Sequence, residues 1–369
     1  MQFIGDDPGF QRAWTKSRHL MTIDDWIIEA AHMRPVAAAA RWSLPPIESA
    51  GALAAWLALM PAELDWFADL KGLAARGHGA GLEHYRYRLI SKPSGGMRLI
   101  EAPKQRLKAI QRQILSQILD RIPPHPAVHG FVHGRSIRGF AAPHTAQRVV
   151  LRMDLENFFP SISGPRVQAM FRTVGYPEPV ADLLGGICTN VPPRAIQKQL
   201  AWEYSRPHLS QGAPTSPALA NICAWRLDRR LASLAEASGA VYTRYADDLA
   251  FSGGDDFDRC VDRFSARAAA IAVAEGFSVN YHKTRIMRQG VRQQLAGIVT
   301  NQHMNVRREE FDRLKAILTN CVRHGPRQQN RDGHPDFRAH LAGRVAFVES
   351  INPSKARRLR VLFDRISWD

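Results

Sequence analysis

Two adjacent acids inside a β-rich run, Asp247 and Asp248 in Val241-Tyr-Thr-Arg-Tyr-Ala-Asp-Asp-Leu-Ala-Phe-Ser252, constrain this chain more than any other feature. β-Branched and aromatic residues on both sides predict two strands meeting at a tight turn, with Asp247 and Asp248 at its tip. Neighbouring carboxylates repel, and holding them together calls for a counter-ion. Mg²⁺ meets that need, because it takes hard oxygen ligands and keeps positions open for substrate phosphates. A solvated turn would account for an isolated Asp-Asp, since Asp is a common turn residue.

A third acid removes that simpler explanation. In the segment Val149–Ile162 a run of apolar residues leads to Asp154, followed by a polar pair, then Phe158, Phe159 and Pro160. This predicts a buried strand that delivers a carboxylate at its end, with Pro160 stopping the pairing. Asp154, Asp247 and Asp248 together suit two Mg²⁺ ions roughly 4 Å apart, with Mn²⁺ as a substitute, arranged for in-line phosphoryl displacement. Between the acids lies Leu209-Ser-Gln-Gly-Ala-Pro-Thr-Ser-Pro217. Gly212 and Pro214 break regular structure, and Thr215 or Ser216 can cap a helix that tolerates Pro217 in its first turn. A glycine loop entering a helix suits close approach of backbone to a nucleotide.

These segments, in this order, resemble the reverse transcriptase family. Asp154 with Phe158-Phe159, Gln211–Pro217 and Tyr245–Asp248 match its three catalytic motifs. Tyr85–Pro103 resembles the fingers hairpin, His129–Ile137 the segment before the first aspartate, Gly276–Thr284 a fourth palm motif, and Leu295–Asn301 the primer-gripping hairpin. Coverage runs from about residue 81 to 301. The resemblance implies an α+β right-hand polymerase: a helical N-terminal extension (1–80), fingers (81–153), palm (154–301, with a fingers-side insertion at about 165–210) and a helical thumb (302–369). It implies RNA-directed DNA synthesis, with Asp154, Asp247 and Asp248 as catalytic metal ligands and Lys283 as proton donor to the leaving pyrophosphate. Lys92, Arg98, Phe159, Gln211 and Gly212 would form the nucleotide site, and Phe159 would be the steric gate that rejects a 2′-hydroxyl.

Within the family the likeness is to bacterial retron-type enzymes, which copy a dedicated structured non-coding RNA. The partners implied are that RNA, the RNA/DNA hybrid product, dNTPs and a toxin or effector protein in anti-phage defence. The interval from Cys188 to His208 is long, and Val299-Thr300-Asn301 stands where retron enzymes carry Val-Thr-Gly. A defence-associated reverse transcriptase outside the retrons is therefore an alternative. A catalytically silent RNA-binding scaffold is another, although a scaffold has no reason to keep these acids.

Charge agrees with a nucleic-acid partner. The chain has 50 Lys and Arg against 34 Asp and Glu, a net +16. From Arg86 to Arg152 there are 13 basic residues against two acids, Glu101 and Asp120, and from Asn301 onward 14 against 8. Basic stretches flanking an acidic centre suit a template–primer groove. Arg135, Lys355, Arg357, Arg358 and Arg360 are the expected nucleic-acid contacts, the last four as readers of a folded RNA. The start Met1-Gln-Phe-Ile-Gly-Asp-Asp is not a signal peptide, and the apolar run Ala50–Ala62 is too short to span a bilayer. Cys188, Cys223, Cys260 and Cys321 are scattered, as free thiols of a cytoplasmic protein would be.

The flanks read as helical. A capped start at Thr22–Asp25 precedes Trp26, a helix is expected over Ile47–Met60, and the next should begin at Pro61 and stop at Gly72. Trp14, Trp26, Trp42, Trp56 and Trp66 are expected in the core. Helical spacing returns in Phe311–Leu318, Phe337–Val348 and Pro353–Phe363, with a polar loop over His324–Pro335.

Overall fold

The computed structural model describes residues 8–19, 31–74, 83–92 and 95–368. Residues 1–32 form one unit, of which the helix Pro8–Ser17 is described, and residues 33–369 form the other. The expected capped start at Thr22–Asp25 lies outside the described residues.

The second unit is built on an antiparallel sheet whose central strand is Val149–Glu156. Numbering strands in chain order, β1 is Tyr85–Ser91, β2 Met97–Pro103, β3 Val149–Glu156, β4 Ala240–Tyr245, β5 Asp248–Gly253, β6 Ser278–Val279, β7 Arg285–Arg288, β8 Gln294–Leu295 and β9 Ile298–Val299. β5 pairs with one edge of β3 and β4 lies outside β5, while β6 and β7 pair with the other edge of β3. Side chains alternate across a strand, and the two faces of β3 enter different environments. Val149, Leu151, Met153 and Leu155 pack into the main core, whereas Val150 joins a second core with Ala250 of β5. Arg152 and Asp154 follow Val150 at period two, on that same face.

Helix Asp255–Ala274 covers the main-core face. Its buried residues Phe257, Val261, Phe264, Ala268 and Ala272 recur at helical spacing. Phe264 meets Phe251 edge-on at 4.9 Å, and Phe251 stacks on Tyr242 at 4.9 Å. The second core continues into the helices Arg308–His324, Phe337–Ile351 and Pro353–Asp364 and takes in Leu295 and Ile298 of the β8–β9 hairpin. A separate hairpin, β1–β2, runs in register from Tyr85↔Pro103 to Ser91↔Met97. This mixture of helices and antiparallel sheets is the α+β class expected of a right-hand polymerase.

Several boundaries differ from expectation for local reasons. The helix expected over Ile47–Met60 spans only Ala50–Trp56, because Ser49 caps its start and Ala58 turns left-handed at φ 54°. The next begins at Pro61 as expected but stops at Ala68, where Asp69 turns left-handed and accepts from the amides of Leu73 and Ala74, short of Gly72. β3 is ended by Asn157 at φ 44°, not by Pro160, which lies inside the short helix Phe158–Ser161. Asp248 is the first residue of β5 rather than part of the turn tip. Trp42 and Trp56 pack on the core, but Trp14 and Trp66 are 39% and 38% exposed. All four cysteines are free thiols. Among the described residues no helix is long and apolar enough to cross a membrane.

A buried histidine links the sheet to pH. Thr243 Oγ1 donates to the carbonyl of Phe140, so it accepts from His144 Nε2 at 2.7 Å, and Ser252 donates to Nδ1 at 2.6 Å. The ring is thus held neutral, and burial, helped by the charge of His129, pushes its pKa down to about 3 from 6.5. The unfolded chain binds this proton more tightly than the folded one. Stability is therefore full above pH 6.5 and falls as pH drops from 6.5 toward 3, by about 1.4 kcal/mol per pH unit. His144→Gln is expected to remove that slope while losing some stability at pH 7. Urea midpoints of both proteins at pH 7 and pH 5 check this, and equal pH sensitivity would contradict it.

Candidate active site

Asp154 reaches the site because β3 carries it past the second core, where cross-strand pairing sets it opposite Asp248. Its carboxylate is 4% exposed. Between β4 and β5 the chain reverses through Ala246, at φ 55°, and Asp247, whose carbonyl accepts from the amide of Leu155. The turn is fastened from below by Arg244. Its guanidinium, wholly buried, makes paired bonds of 2.7 Å to both oxygens of Asp228 and donates to the Ala246 carbonyl and to Asn221. Breaking such a buried pair from one side costs about 3–5 kcal/mol. Asn221 in turn donates to the Gly130 carbonyl. Gly130 has to be glycine, because a Cβ there would lie 2.5 Å from the Ala246 amide nitrogen.

The three acids are not equivalent. Lys283 Nζ binds both oxygens of Asp154, at 2.9 and 3.1 Å. Arg152 binds Asp248 Oδ1 through two nitrogens, at 2.8 and 2.6 Å. Among the described residues Asp247 has no ion pair. Burial, then the charges of Asp248 and Asp154, push its pKa up to about 6. Burial also raises Asp248, opposed by Arg152. No three His, Cys, Asp or Glu side chains among the described residues are gathered closely enough to hold a metal by themselves. The oxygen-only donor set still fits Mg²⁺, which is bound through one or two carboxylates and completed by substrate phosphates rather than by an all-protein cage.

Asp154 and Asp247 face a cavity of about 440 Å³ together with Lys92, Arg98, Phe159, Gln211 and Lys283. Seven of the residues expected at the reaction centre are thus brought to one space. Among the described residues the buried amide oxygen of Gln211 has no partner, which leaves it to bind something that enters. Lys92 Nζ lies 3.4 Å from Asn157 Oδ1. Gly212 stands behind the wall at φ 131°, where a Cβ would be 2.9 Å from the Glu101 carbonyl oxygen.

The other expected residues lie elsewhere. Asp248 is outside the cavity lining, turned to Arg152. Arg135 donates to the Pro126 and Val128 carbonyls, so its guanidinium fastens its own loop. On helix Pro353–Asp364, Arg357 and Arg358 are exposed. Lys355 sits over Phe311 at 5.1 Å, and Arg360 pairs with Glu349 at 2.8 Å. Several contributors were not anticipated. Arg152 was legible, standing two residues before Asp154 on one face. Arg244 with Asp228, and Phe131, whose half-exposed ring lies 5.9 Å from Phe159, carried no local signal.

A family model described as reverse transcriptase (RNA-dependent DNA polymerase) matches residues 90–312. The retron Mx65 reverse transcriptase of Myxococcus xanthus is 44% identical over 75% of this chain and 64% of its own length. The retron Mx162 reverse transcriptase of the same organism is 37% identical over 85% of this chain and 66% of its own. The retron Ec86 reverse transcriptase of Escherichia coli is 31% identical, over 74% of this chain and 79% of the relative. The chain spans just under two thirds of the length of the two Myxococcus relatives. Three retron enzymes aligned over some three quarters or more of this chain outweigh the Val299–Asn301 departure and the long Cys188–His208 interval. The chain belongs to the reverse transcriptase family, and within it to the retron type.

Proposed function

We propose that the protein is an RNA-directed DNA polymerase that copies a structured non-coding RNA into DNA in a retron. The observation that carries this is the single cavity in which Asp154 and Asp247 face Lys92, Arg98, Gln211 and Phe159. In this reading residues 81–153 act as fingers, 154–301 as palm and 302–369 as thumb, after a helical extension. Asp154 and Asp247 hold two Mg²⁺ ions, replaceable by Mn²⁺, with Asp248 positioning from the side. The ions supply Lewis acidity, lowering the pKa of the primer hydroxyl and neutralising phosphate charge. Arg98 and Lys92 bind the triphosphate of the incoming dNTP, and the free amide oxygen of Gln211 accepts from a donor group of its sugar or base. Phe159 closes the space beside the sugar. Lys283, already at Asp154, is within the same cavity to pass a proton to the leaving pyrophosphate.

A silent scaffold is the weaker reading. It leaves unexplained why Asp247 is kept partly buried, beside two other acids, without a cation of its own. To this reading we add a toxin or effector partner and a cytoplasmic setting, which the likeness to retron enzymes supports. Offering one dNTP at a time on a primed RNA of known sequence tests the reading. Addition of only the complementary deoxynucleotide supports it, and addition regardless of template would count against it.

The basic C-terminal helix gives a separable prediction. Neutralising exposed Arg357 and Arg358 should lower RNA affinity and reduce the slope of log affinity against log salt by about one per lost phosphate contact. Arg360→Gln should change it little, because Glu349 already holds that guanidinium. Binding isotherms at three salt concentrations distinguish the two. Equal slopes in all variants would remove this helix from the RNA surface.

A further inference from the structure

A second buried pair lies behind the cavity wall and takes no part in the reaction described above. Glu101 of β2 and His208 are both wholly buried, and Nε2 of His208 lies 3.0 Å from Glu101 Oε2. The other carboxylate oxygen, Oε1, accepts from Asn190 Nδ2 at 2.8 Å. His208 Nδ1 lies 2.8 Å from the Arg206 carbonyl. A carbonyl only accepts, so Nδ1 carries a proton. Facing a carboxylate, Nε2 either donates a second proton or accepts the one held by Glu101. In both cases one proton bridges the pair, which is neutral as a whole and satisfied on both sides.

The position of this pair gives it consequence. Three residues before Glu101, β2 carries Arg98; three residues after His208, the chain carries Gln211. The Glu101 amide donates to the Gln211 carbonyl at 2.9 Å, and Gly212 presses against the Glu101 carbonyl. His208 is tied on its other side by paired backbone bonds to Asn190, at 3.0 and 3.1 Å. The β1–β2 hairpin and the Gln211 loop are remote in sequence, and this hydrogen-bonded network fastens them together.

We propose that Glu101 and His208 are positioning residues for the incoming nucleotide, setting Arg98 in register with Gln211. This rests on the polymerase reading of the cavity. Rupture from one side leaves a buried group unpaired and shifts the two walls, so nucleotide affinity falls while the chemistry at Asp154 and Asp247 continues.

Glu101→Leu, His208→Leu and the double variant test this. Two readouts are needed: KM and kcat for the complementary dNTP on a primed RNA, and the dNTP Kd by calorimetry on the same RNA with a dideoxy-terminated primer. Each single variant should raise KM and Kd about tenfold with kcat within about twofold of wild type. In the double variant neither buried partner is left facing an apolar side chain, and both values should return to within about threefold. Unchanged Kd in the singles, equal loss in the double, or loss of kcat with KM unchanged would overturn the proposal. If a single variant gives no cooperative melt, Asn190→Ala removes the amide that Oε1 and the Tyr87 hydroxyl share and leaves the backbone pairing with His208 in place. A rise of about threefold in Kd is expected there, and an unchanged Kd overturns the proposal. Kd on the blocked primer needs no turnover. A chain that binds dNTP as described but never extends a primer would defeat the polymerase reading and leave this one standing.

Discussion

Asp247→Asn is expected to eliminate nucleotide addition and, in the same protein, to raise thermal stability. The loss of synthesis should be at least about a thousandfold, the scale of removing a charge that acts on the transition state in a desolvated site. The gain follows from what surrounds this carboxylate. Lys283 and Arg152 are committed to Asp154 and Asp248, so Asp247 bears its burial and two neighbouring negative charges without an ion pair of its own. Its pKa stands at about 6 in the folded chain against 3.8 for the ordinary side chain. The folded state therefore holds this proton more tightly than the unfolded state. No cost exists below pH 3.8; it grows as pH rises toward 6 and is complete above, with an upper bound of about 3 kcal/mol. In chelator, Asn at this position should raise the melting temperature clearly at pH 8 and little at pH 4.5. A gain independent of pH would contradict the electrostatic account. Asp248→Asn should show no such gain, because it strands Arg152.

Phe159→Ala is the second large effect, and it acts on selectivity rather than rate. The ring lines the cavity and packs against Phe158 at 5.6 Å and Phe131 at 5.9 Å. Removing it opens space beside the remaining two rings. Hydrophobic walls reject an added hydroxyl only by bulk, and discrimination of that kind is worth about a hundredfold. The ratio of kcat/KM for rNTP over dNTP should rise by about that factor. A ratio equal to wild type would place the gate elsewhere, with Phe131 the first neighbour to replace.

The sequence made the candidate site legible because its parts are local. A buried strand ending in Asp154, a glycine loop with Gln211 and a turn with Asp247 each announce themselves within a dozen residues. Period-two alternation also puts Arg152 on the Asp154 face, which makes it the natural partner of Asp248. What escaped was of two kinds. Left-handed residues other than glycine, Asn157 and Ala246, end β3 and shape the turn that carries Asp247; asparagine tolerates that region, but alanine gives no sign of it. The fastenings were the other kind. Arg244 with Asp228, Lys283 with Asp154, and Glu101 with His208 join residues that only the completed fold brings together. The five basic residues assigned to nucleic acid were chosen on charge and on the resemblance to the family. Arg135 and Arg360 proved to have partners inside the protein, as charge runs do when they serve structure.

The central claim is that Asp154 and Asp247 form the reaction centre of RNA-templated DNA synthesis. It is tested most directly by extending one primed RNA with dNTPs and Mg²⁺, using wild type and Asp154→Asn at equal occupancy of the RNA. The account predicts that wild type copies the template into DNA and that the variant binds the same RNA and adds nothing. Equal extension by both proteins, or none by wild type under saturating RNA, dNTP and metal, would contradict it.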